Sequence, residues 1–592
     1  MKVLILSCNT GGGHNAAASA LKESLNFYHH EAEVLDLMSL GRKHTSALVG
    51  GAYVKLVSVF PAGFGALYQL GELVRKFPWK SPVYYANARL GNALADYIDQ
   101  NHFNAVVTTH LYPAETLTWM KQKGRLTIPC VAVATDYACI PFWEETNCDY
   151  YVVPHKDLIP EFASCGIPEE KLLPLGIPVR PAFARPASKE DVRRHLGLPE
   201  NAPLFLVMSG SMGFGKVHLL AHELVSRLEN GEQAVIICGN NKKRMRSLRL
   251  QFHKNPNVHI IGFTRHVAEY MAAADVLFTK PGGLSSTEAA VRRVPLVHTD
   301  PIPGCETKNR AFFVSRGMSV TGAHQKELAE AGISLACDDA RQIAMRDAQH
   351  QNSHPQAGTS ITHLLEKLVS EKLLMMLTAY LFYSFFGYLS GSVLYSYLIP
   401  KYFCHVDVRT VNEDQNPGAF NAFSVAGLRI GLLCVLCDIG KGFLPVFLAA
   451  HSSAVSMSSW IFALILLAPV AGHAWPFLQP AKGGKAISVS FGVLLGLLPD
   501  LRPALLLAAF YLTFSLILII QPHNLRSIVS FSGFAVAAQI SRFLPSVRLG
   551  SLLVSLVVCF RHLFSLREHE TENAAFTIQS LSAKIRKKQK KE

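Results

Sequence analysis

Glycine-rich loops that directly follow short apolar runs are the first features of this sequence with a chemical implication. Gly11-Gly12-Gly13-His14 follows the apolar run 1–8 and precedes an Ala-rich helical stretch that reaches about residue 27. A strand, a glycine loop and a helix N-terminus in this order can hold an anion or another polar ligand, because the first N–H groups of a helix have no partner inside it. Gly12 and Gly13 are therefore candidate ligand-binding residues.

The same pattern recurs in a second stretch of the chain. The apolar run 204–208 leads into a loop that contains Gly210 and Gly213, and the run 276–279 leads into Lys280-Pro281-Gly282-Gly283. Other strand-like runs alternate with helical segments at 105–109, 129–134, 150–153, 234–238 and 259–261. This alternation predicts two doubly wound α/β domains, which bind a ligand in the cleft between the carboxyl ends of their strands.

Composition separates these domains from the rest of the chain. With 592 residues, 49% hydrophobic and 17% charged, the chain is too long for one core, and a disordered or fibrous protein is excluded. The net charge of +14 fits nucleic acid, anionic lipid or phosphorylated substrates. Because charges are sparse over 372–566, we favour a membrane over nucleic acid. The basic run 584–591 is either a lipid-attracted tail or a plain solvated one.

Long apolar runs fill the region after residue 372. They lie at about 373–399, 425–450, 455–471, 487–499, 503–520, 527–544 and 547–564, which predicts an all-α membrane domain of six or seven spans. Polar, glycine-rich segments between them would be costly in lipid unless they line a site. These segments are Ser390–Ser392, Val406–Arg409, Asn416–Asn421, Asp438–Gly442, Gly472–Pro476 and Lys482–Lys485.

Five motifs in the first 340 residues resemble a known family. They are GGGH at 11–14, TDY and PFW within 135–143, GIPV at 176–179, TKPGG and STEA within 279–289, and PGCETKN at 303–309. In this order they resemble the diacylglycerol glycosyltransferases, which are the bacterial glucosyl and plant galactosyl enzymes related to MurG. The resemblance implies a two-lobed GT-B fold and the inverting transfer of a hexose from a UDP-sugar to a lipid hydroxyl. No metal or other cofactor is expected.

The resemblance also implies roles for individual residues. His14 is the expected base, since the ordinary pKa of histidine lies near the working pH, and the alternative is a residue that only caps the first helical turn. Asp136 is expected to orient His14 or to bind the acceptor. The donor would be held by Gly12, Gly13, Gly210, Gly213, Gly282 and Gly283 at its diphosphate, by Glu288 at the ribose, by Phe263 at the uracil, and by Glu306 and Asn309 near the sugar or phosphates.

Two further observations concern substrate choice and docking. The bacterial glucosyl enzymes carry His where this chain has Ile140, so the resemblance leaves open whether the sugar is glucose or galactose. The stretch 49–84 combines apolar and aromatic residues with Lys55, Arg75, Lys76 and Lys80. This composition is typical of membrane docking and lipid capture, although some of the aromatic residues could pack in a core.

The polar segments after residue 373 resemble a second family, the acyl-phosphate:glycerol-3-phosphate acyltransferases (PlsY), over about 373–570. This resemblance implies acyl transfer between two phosphate-bearing substrates, which needs cations and close backbone approach. Arg409, Lys441, Lys482 and Lys485 would supply charge, Gly483 and Gly484 would let the backbone approach phosphate, and Ser392, Asn416 and Asn421 would supply neutral hydrogen bonds. His473 and His562 would move a proton, orient a group or serve structure only.

Departures from the second family suggest an alternative. Glu413-Asp414-Gln415 replaces Gly-Ser-Gly, and like charge opposes phosphate binding. Leu394, Ala486 and Ser565 replace Pro, Gly and Asn. The acceptor could therefore differ from glycerol 3-phosphate, or this half could be a membrane anchor. Family topology and a cytosolic sugar donor also conflict unless 373–399 forms a hairpin or re-enters, or unless two reading frames are joined here, with Met375-Met376 as a separate start.

The sequence thus predicts a multi-pass enzyme of a bacterial plasma membrane, with its glycosyltransferase on the cytoplasmic side. It would glycosylate diacylglycerol and acylate glycerol 3-phosphate with acyl phosphate, and a polyprenyl-linked acceptor for the sugar is the alternative. The expected organisation is 1–185 and 186–340 for the two lobes, 341–370 for a linker, 371–570 for the membrane domain and 571–592 for the basic tail.

Overall fold

A computed structural model describes residues 1–9, 12–41, 61–75, 79–208, 210, 216–229, 231–411 and 416–566. It divides into two compact units, Met1–Ser370 and Glu371–Glu592. Several predicted features lie outside the described residues: Gly213, the segment 413–415, the run 584–591, and much of 49–84.

The first lobe of unit one is built on a six-stranded parallel sheet. Its strands are β1 Lys2–Ser7, β2 Glu31–Asp36, β3 Ala105–Thr108, β4 Cys130–Val133, β5 Tyr150–Val152 and β6 Leu172–Leu173. The spatial order is β2-β1-β3-β4-β5-β6, with Leu4 of β1 opposite Val106 of β3. The strand order reverses direction between β1 and β3, and a crevice for ligands opens at the carboxyl ends of the strands at such a point.

The described residues of this lobe also form seven α-helices. They are Gly12–Phe27, Pro61–Val74, Pro82–Ala88, Gly91–Asn101, Leu111–Gln122, Ile159–Ser164 and Pro181–Ala184. β3 and β4 are buried along their whole length, which is the environment that continuous apolar runs require in a parallel sheet.

The second lobe repeats the architecture with a different strand order. Its strands are β7 Leu204–Met208, β8 Gln233–Ile237, β9 Val258–Ile261, β10 Val276–Thr279, β11 Leu296–His298 and β12 Val320–Thr321. They pair in parallel as β12-β11-β10-β7-β8-β9, and here the order reverses between β7 and β10. The helices are Lys189–His195, Val217–Val225, Lys242–Gln251, Val267–Ala273, Gly283–Arg292, Cys305–Ser315, Gln325–Ala336 and Asp339–Asn352. The prediction of two Rossmann-like sheets is confirmed.

The stretch 341–370, which we expected to be a linker, is instead helical and packs on unit one. It belongs to the helix Asp339–Asn352 and to the first part of the helix Ala357–Ser392. Ile361 and Leu365 are fully buried beside Val3 and Ile5 of the first sheet. These two apolar residues stand four apart, the spacing that places side chains on one helical face, and the polar residues around them obscure that pattern.

Unit two is helical throughout its described residues. Besides the end of Ala357–Ser392 it contains Tyr395–Phe403, Val408–Val411, Ala419–Ala450, Phe462–Ala474, Ile487–Leu495, Arg502–Leu512, His523–Ile540 and Pro545–Leu566. Among the described residues, three helices are long and apolar enough to cross a membrane: Asp339–Ser392, Ala419–Ala450 and Pro545–Leu566. The remaining apolar runs form shorter helices, so the count of six or seven spans stays a prediction.

Glycines bring pairs of these helices into backbone contact. A Cβ on Gly391 would collide with the carbonyl oxygen of Pro469, and a Cβ on Gly472 would collide with that of Tyr388. The second helix pair shows the same reciprocity, because Gly442 faces the carbonyl of Val489 and Gly492 faces the carbonyl of Ile439. Each crossing is therefore fixed from both sides by a residue without a side chain.

Candidate functional site

His14 lies in the third position of the helix Gly12–Phe27, at the crevice where the order of the first sheet reverses. Its Nδ1 atom lies 2.8 Å from the carbonyl oxygen of Thr109 and 2.9 Å from the hydroxyl oxygen of Thr135. Because a carbonyl oxygen only accepts, Nδ1 carries the proton and donates it. The Nε2 atom of the neutral ring is therefore left with its lone pair, as a proton acceptor must be.

The surroundings of His14 favour the neutral ring. Burial lowers the pKa of His14, while the charge of Asp136 and the hydrogen bond to Thr109 act in the opposite direction. His110 packs edge-on against His14 with ring centroids 4.4 Å apart. Burial also lowers the pKa of His110, with a smaller contribution from His14. Near neutral pH His14 is consequently available to take a proton.

Asp136 follows β4 and is held by a residue of the second lobe. The side-chain amide of Asn309 donates to Asp136 Oδ1 over 2.8 Å and to the carbonyl oxygen of Pro281 over 3.0 Å. Its oxygen accepts the backbone N–H of Tyr137 over 2.7 Å. Asn309, predicted to contact the sugar or phosphates, thus ties Asp136 and Tyr137 to the loop after β10.

The helix Gly283–Arg292 begins against the first lobe. A Cβ on Gly283 would collide with the carbonyl oxygen of Thr135, and a Cβ on Gly13 would stand 3.8 Å from the Cβ of Leu284. The hydroxyl groups of Tyr137 and Thr287 lie 2.9 Å apart. The helix N-terminus at Gly282 and Gly283 therefore faces the loop that carries His14, so the structure brings these predicted residues together.

Lys280 was not selected as a site residue from the sequence. In the structure it lies between Gly210, in the loop after β7, and Glu306, at the start of the helix Cys305–Ser315. Its ammonium group pairs with Glu306 Oε1, and Glu306 Oε2 accepts the backbone N–H of Ile302 over 2.9 Å. A Cβ on Gly210 would stand 3.2 Å from Cε of Lys280, and Gly210 has the positive φ of 71° that glycine permits. The sequence could have pointed to Lys280, because this lysine directly follows β10, where the order of the second sheet reverses.

Glu288 is buried on the helix Gly283–Arg292, with 8% of its surface exposed. Burial raises the pKa of its carboxyl group to about 8, and the positive charge of Arg180 acts in the opposite direction. Within the described part of the chain the Glu288 carboxyl has no hydrogen-bond partner, so its oxygens can accept from a ligand. Phe263 follows β9, two strands away from β7, and is 62% exposed.

The helix Pro61–Val74 lies against the loop between β11 and the helix Cys305–Ser315. A Cβ on Gly65 would stand 2.9 Å from Pro303, and one on Gly304 would stand 3.0 Å from the ring of Tyr68. Beyond this contact, large apolar side chains are exposed to solvent: Leu70, Leu73, Trp79 and Tyr85. The described part of 49–84 therefore presents apolar surface close to the cleft.

In unit two, Lys441 and His473 form a buried polar cluster. The ammonium group of Lys441 donates to the carbonyl of Val393 over 2.6 Å and to Nδ1 of His473 over 2.8 Å. It also pairs with Asp438 Oδ1 at 2.8 Å. Since a lysine ammonium group can only donate, His473 accepts at Nδ1 and carries its proton on Nε2. Lys441 therefore orients His473.

The segment Lys482–Lys485 folds against the end of the helix Phe462–Ala474. A Cβ on Gly483 would collide with the carbonyl of Ala474, and one on Gly484 would collide with Nε2 of His473. The N–H of Gly484 donates to the carbonyl of His473 over 3.0 Å, and Arg561 donates to the carbonyl of Gly483. Both glycines are needed for this close approach.

Two cavities open beside this segment. The larger, of about 840 Å³, brings together the predicted residues Asn416, Asn421, His473, Lys485 and His562. The smaller, of about 460 Å³, brings together the predicted residues Arg409, Asn416, Lys482, Gly483 and Lys485. Lys485 and Asn416 line both cavities, so eight of the eleven predicted acyltransferase residues lie around two adjacent spaces, whereas Lys441 and Gly484 line neither. Ser392 lines neither cavity and donates instead to the carbonyl of Tyr388 over 2.8 Å.

His562 keeps one ring nitrogen without a partner among the described residues, whereas Arg409 is held by two neighbouring side chains. His562 Nδ1 lies 3.0 Å from Oδ1 of Asn524, while Nε2 is buried without a partner among the described residues. Asn524 therefore fixes the tautomer with a lone pair on Nε2. Arg409 pairs with Asp407 at 3.1 Å and stacks on Tyr397, 3.6 Å from its ring centroid.

Three family models match the chain, each over part of its length. Monogalactosyldiacylglycerol (MGDG) synthase matches residues 14–179, glycosyl transferases group 1 matches 188–352, and glycerol-3-phosphate acyltransferase matches 381–569. The first two matches coincide with the two lobes of unit one and the third lies within the helical region. The two parts of the chain thus resemble two different families.

Curated relatives match the first part of the chain. The processive diacylglycerol beta-glucosyltransferase of Staphylococcus carnosus is 28% identical over 57% of this chain and 85% of its own. The enzymes of the same name from Staphylococcus saprophyticus and Bacillus subtilis are 34% and 27% identical, over 35% and 57% of this chain and 53% and 87% of their own.

Two solved structures are also similar to parts of the chain. MurG of Acinetobacter baumannii is 15% identical, covers 62% of this chain and 99% of its own, and has a TM-score of 0.42. The glycerol 3-phosphate form of PlsY, an integral membrane glycerol 3-phosphate acyltransferase, is 27% identical, covers 33% of this chain and 92% of its own, and has a TM-score of 0.29.

Proposed function

We propose that this chain is a bifunctional membrane glycerolipid enzyme. Unit one transfers a hexose from a UDP-sugar to diacylglycerol, and unit two transfers an acyl chain from acyl phosphate to glycerol 3-phosphate. Support comes from the two family matches and from the glucosyltransferase relatives, which cover most of unit one. For unit one, the observation that supports the proposal most directly is the tautomer of His14. With the proton on Nδ1, Nε2 has a lone pair and can accept a proton beside the cleft.

In hexosyl transfer, Nε2 of His14 takes the proton of the diacylglycerol hydroxyl as its oxygen attacks the anomeric carbon. The bond from that carbon to the diphosphate breaks on the opposite face, so the sugar inverts and UDP leaves. The helix N-terminus at Gly283 and the cation of Lys280 would stabilise the leaving diphosphate. Glu288 would accept the ribose hydroxyls, and Phe263 would cover the uracil.

The test is product analysis on two histidine variants. Full-length chain in vesicles that contain diacylglycerol is supplied with UDP-glucose or UDP-galactose, and the lipids are analysed by mass spectrometry. His14→Ala should lower hexosyl-diacylglycerol formation by roughly 100-fold or more, the usual contribution of a general base. His253→Ala is the matched control, because His253 is exposed and its ring hydrogen-bonds the carbonyl oxygen of Leu250 in a part of the chain remote in sequence from His14. Equal product from both variants would contradict the assignment of the base.

In acyl transfer, Nε2 of His562 takes the proton of an acceptor hydroxyl as its oxygen attacks the acyl carbon. The bond from that carbon to phosphate breaks, and inorganic phosphate leaves after the acyl chain moves to the acceptor. Lys482 and Lys485 would balance the phosphate charge. His473, which Lys441 holds with its proton on Nε2, would donate a hydrogen bond rather than act as the base.

A membrane anchor is the second candidate for unit two. It is favoured by the engagement of Arg409 with Asp407 and Tyr397, which leaves less of its charge for a substrate. Supplying acyl phosphate and glycerol 3-phosphate distinguishes the two. Lysophosphatidic acid that disappears in His562→Gln supports the enzyme, and hexosyl-diacylglycerol as the sole product supports the anchor.

The expected location follows from the same assignments. The chain would cross a bacterial plasma membrane six or seven times, with unit one on the cytoplasmic side where nucleotide-sugars are made. Three apolar helices and the exposed apolar residues of the helix Pro61–Val74 support contact with lipid. Proteolysis of sealed inside-out and right-side-out vesicles tests this sidedness.

A further inference from the structure

Arg526 is a cation of unit two to which neither family motif assigns a role. It lies in the first turn of the helix His523–Ile540, and its side chain lines the larger cavity together with Lys485 and His523. Its Nε atom is buried and has no hydrogen-bond partner among the described residues. A guanidinium group is always charged in proteins, so this atom retains an unused donor.

Asp438, the acidic residue among the described residues that line the same cavity, does not neutralise Arg526. Asp438 accepts a hydrogen bond from Ser396 over 2.5 Å and pairs with Lys441 at 2.8 Å. No ion pair of Arg526 occurs in the described part of the chain. Arg526 is half-buried, and a charge without a partner among apolar helices generally faces a polar ligand or another charge. The cavity is therefore suited to an anion.

We propose that Arg526 binds the phosphate group of a substrate in the larger cavity, opposite Lys485. The planar guanidinium fork matches two phosphate oxygens, whereas a lysine offers a point charge. Because Lys485 also lines the smaller cavity, a second phosphate can be held on its other side by Lys482. This inference rests on the proposed acyl transfer, whose two substrates each carry a phosphate group.

Steady-state kinetics on the purified full-length chain show which phosphate Arg526 holds. Arg526→Gln should raise KM about 10- to 100-fold for either acyl phosphate or glycerol 3-phosphate, the range for loss of a charge-assisted pair. A rise for acyl phosphate alone places the donor in the larger cavity, and a rise for glycerol 3-phosphate alone places the acceptor there. Arg526→Lys should raise the same KM to a smaller extent.

Arg502→Gln is the matched control, since Arg502 is exposed and pairs with Asp500 at 2.7 Å away from both cavities. Hexosyl transfer by unit one should be equal in all variants, which verifies that each preparation is folded. A KM for both substrates that is unchanged in Arg526→Gln would overturn the inference.

A binding measurement separates this inference from the acyl-transfer proposal. Inorganic phosphate should raise the thermal unfolding temperature of the wild-type chain and of Arg502→Gln more than that of Arg526→Gln, which keeps only the position beside Lys482. If the wild type makes no lysophosphatidic acid and this difference persists, acyl transfer fails as the function while the phosphate site stands. If phosphate stabilises Arg526→Gln as strongly as wild type, or stabilises neither, the site is refuted.

Discussion

The Nδ1 atom of His14 donates to the carbonyl oxygen of Thr109 at 2.8 Å, across 95 positions of sequence. This single hydrogen bond decides which nitrogen of the ring can accept a proton. It joins the first turn of the helix Gly12–Phe27 to the loop after β3, so the topology of the first sheet selects the reactive tautomer.

The pH dependence of hexosyl transfer should report this ring. Burial lowers the pKa of His14 below its usual 6.5, so kcat/KM should fall only when the pH drops below that value and the base becomes protonated. Asp136 raises the pKa of His14, and Asp136→Asn should therefore move the acidic limb to lower pH. Measurement of kcat/KM between pH 4.5 and 8 checks the direction, and a limb that stays in place would show that Asp136 does not act through His14.

Gly283→Ala should disturb the approach of the two lobes. The added methyl group would collide with the carbonyl of Thr135, and accommodating it costs about 1–3 kcal/mol of unfolding free energy in a packed interior. Hexosyl transfer should fall at the same time, because the helix N-terminus is displaced from His14. Gly124→Ala is the control: it has open space around it and a φ of 65°, so it should lower stability by about 1 kcal/mol and leave transfer intact.

UDP affinity should rise with pH through Glu288. Burial raises the pKa of this carboxyl group to about 8, so at pH 7 the free protein holds it mostly protonated. If the carboxylate accepts ribose hydroxyls, affinity should increase roughly tenfold between pH 7 and 8.5 as the group ionises. Calorimetric titration of Glu288→Gln should show no such increase, and a parallel increase in that variant would place the titrating group elsewhere.

Gly484→Ala should abolish acyl transfer without affecting hexosyl transfer. A methyl group at this position would occupy the place of Nε2 of His473, and a displacement of about 1 Å in a reactive site can cost on the order of 100-fold in rate. Gly440→Ala is matched in chemistry but has no atom within 4 Å of the added Cβ, so its acyl transfer should equal wild type. Full activity in Gly484→Ala would mean that the segment is not part of the site.

The visibility of a strand in the sequence depends on how continuous and how long its apolar run is. β3 and β4 are buried on both faces and therefore read as unbroken apolar runs. β2 lies at the edge of its sheet, alternates with Glu31 and Glu33, and gives no such run. Edge position alone does not decide visibility, because β9 also lies at an edge and its run 259–261 was predicted, whereas the buried interior strand β11, only three residues long, was not.

The sequence likewise identifies some residues of the candidate sites and misses others. Residues inside glycine motifs, such as His14 and Gly283, could be selected because the motif itself sets the backbone close to a ligand. Asn524 and Arg526 could not, since they lie in a helix without a motif, and their cavity partners are about 40 positions away in sequence. Only the packed arrangement of the helices shows that Asn524 fixes the tautomer of His562.

The reciprocal glycine crossings of unit two bear on which sequences natural variation can explore. At exposed positions of these helices, such as Leu432 and Leu464, one apolar residue can replace another. At Gly391, Gly472, Gly442 and Gly492 the opposing atom is a backbone carbonyl, which cannot rotate away. Saturation mutagenesis scored by acyl transfer should therefore leave these four positions with glycine alone, including against alanine. Substitutions accepted during evolution of this unit would then be confined to helix surfaces away from these four glycines.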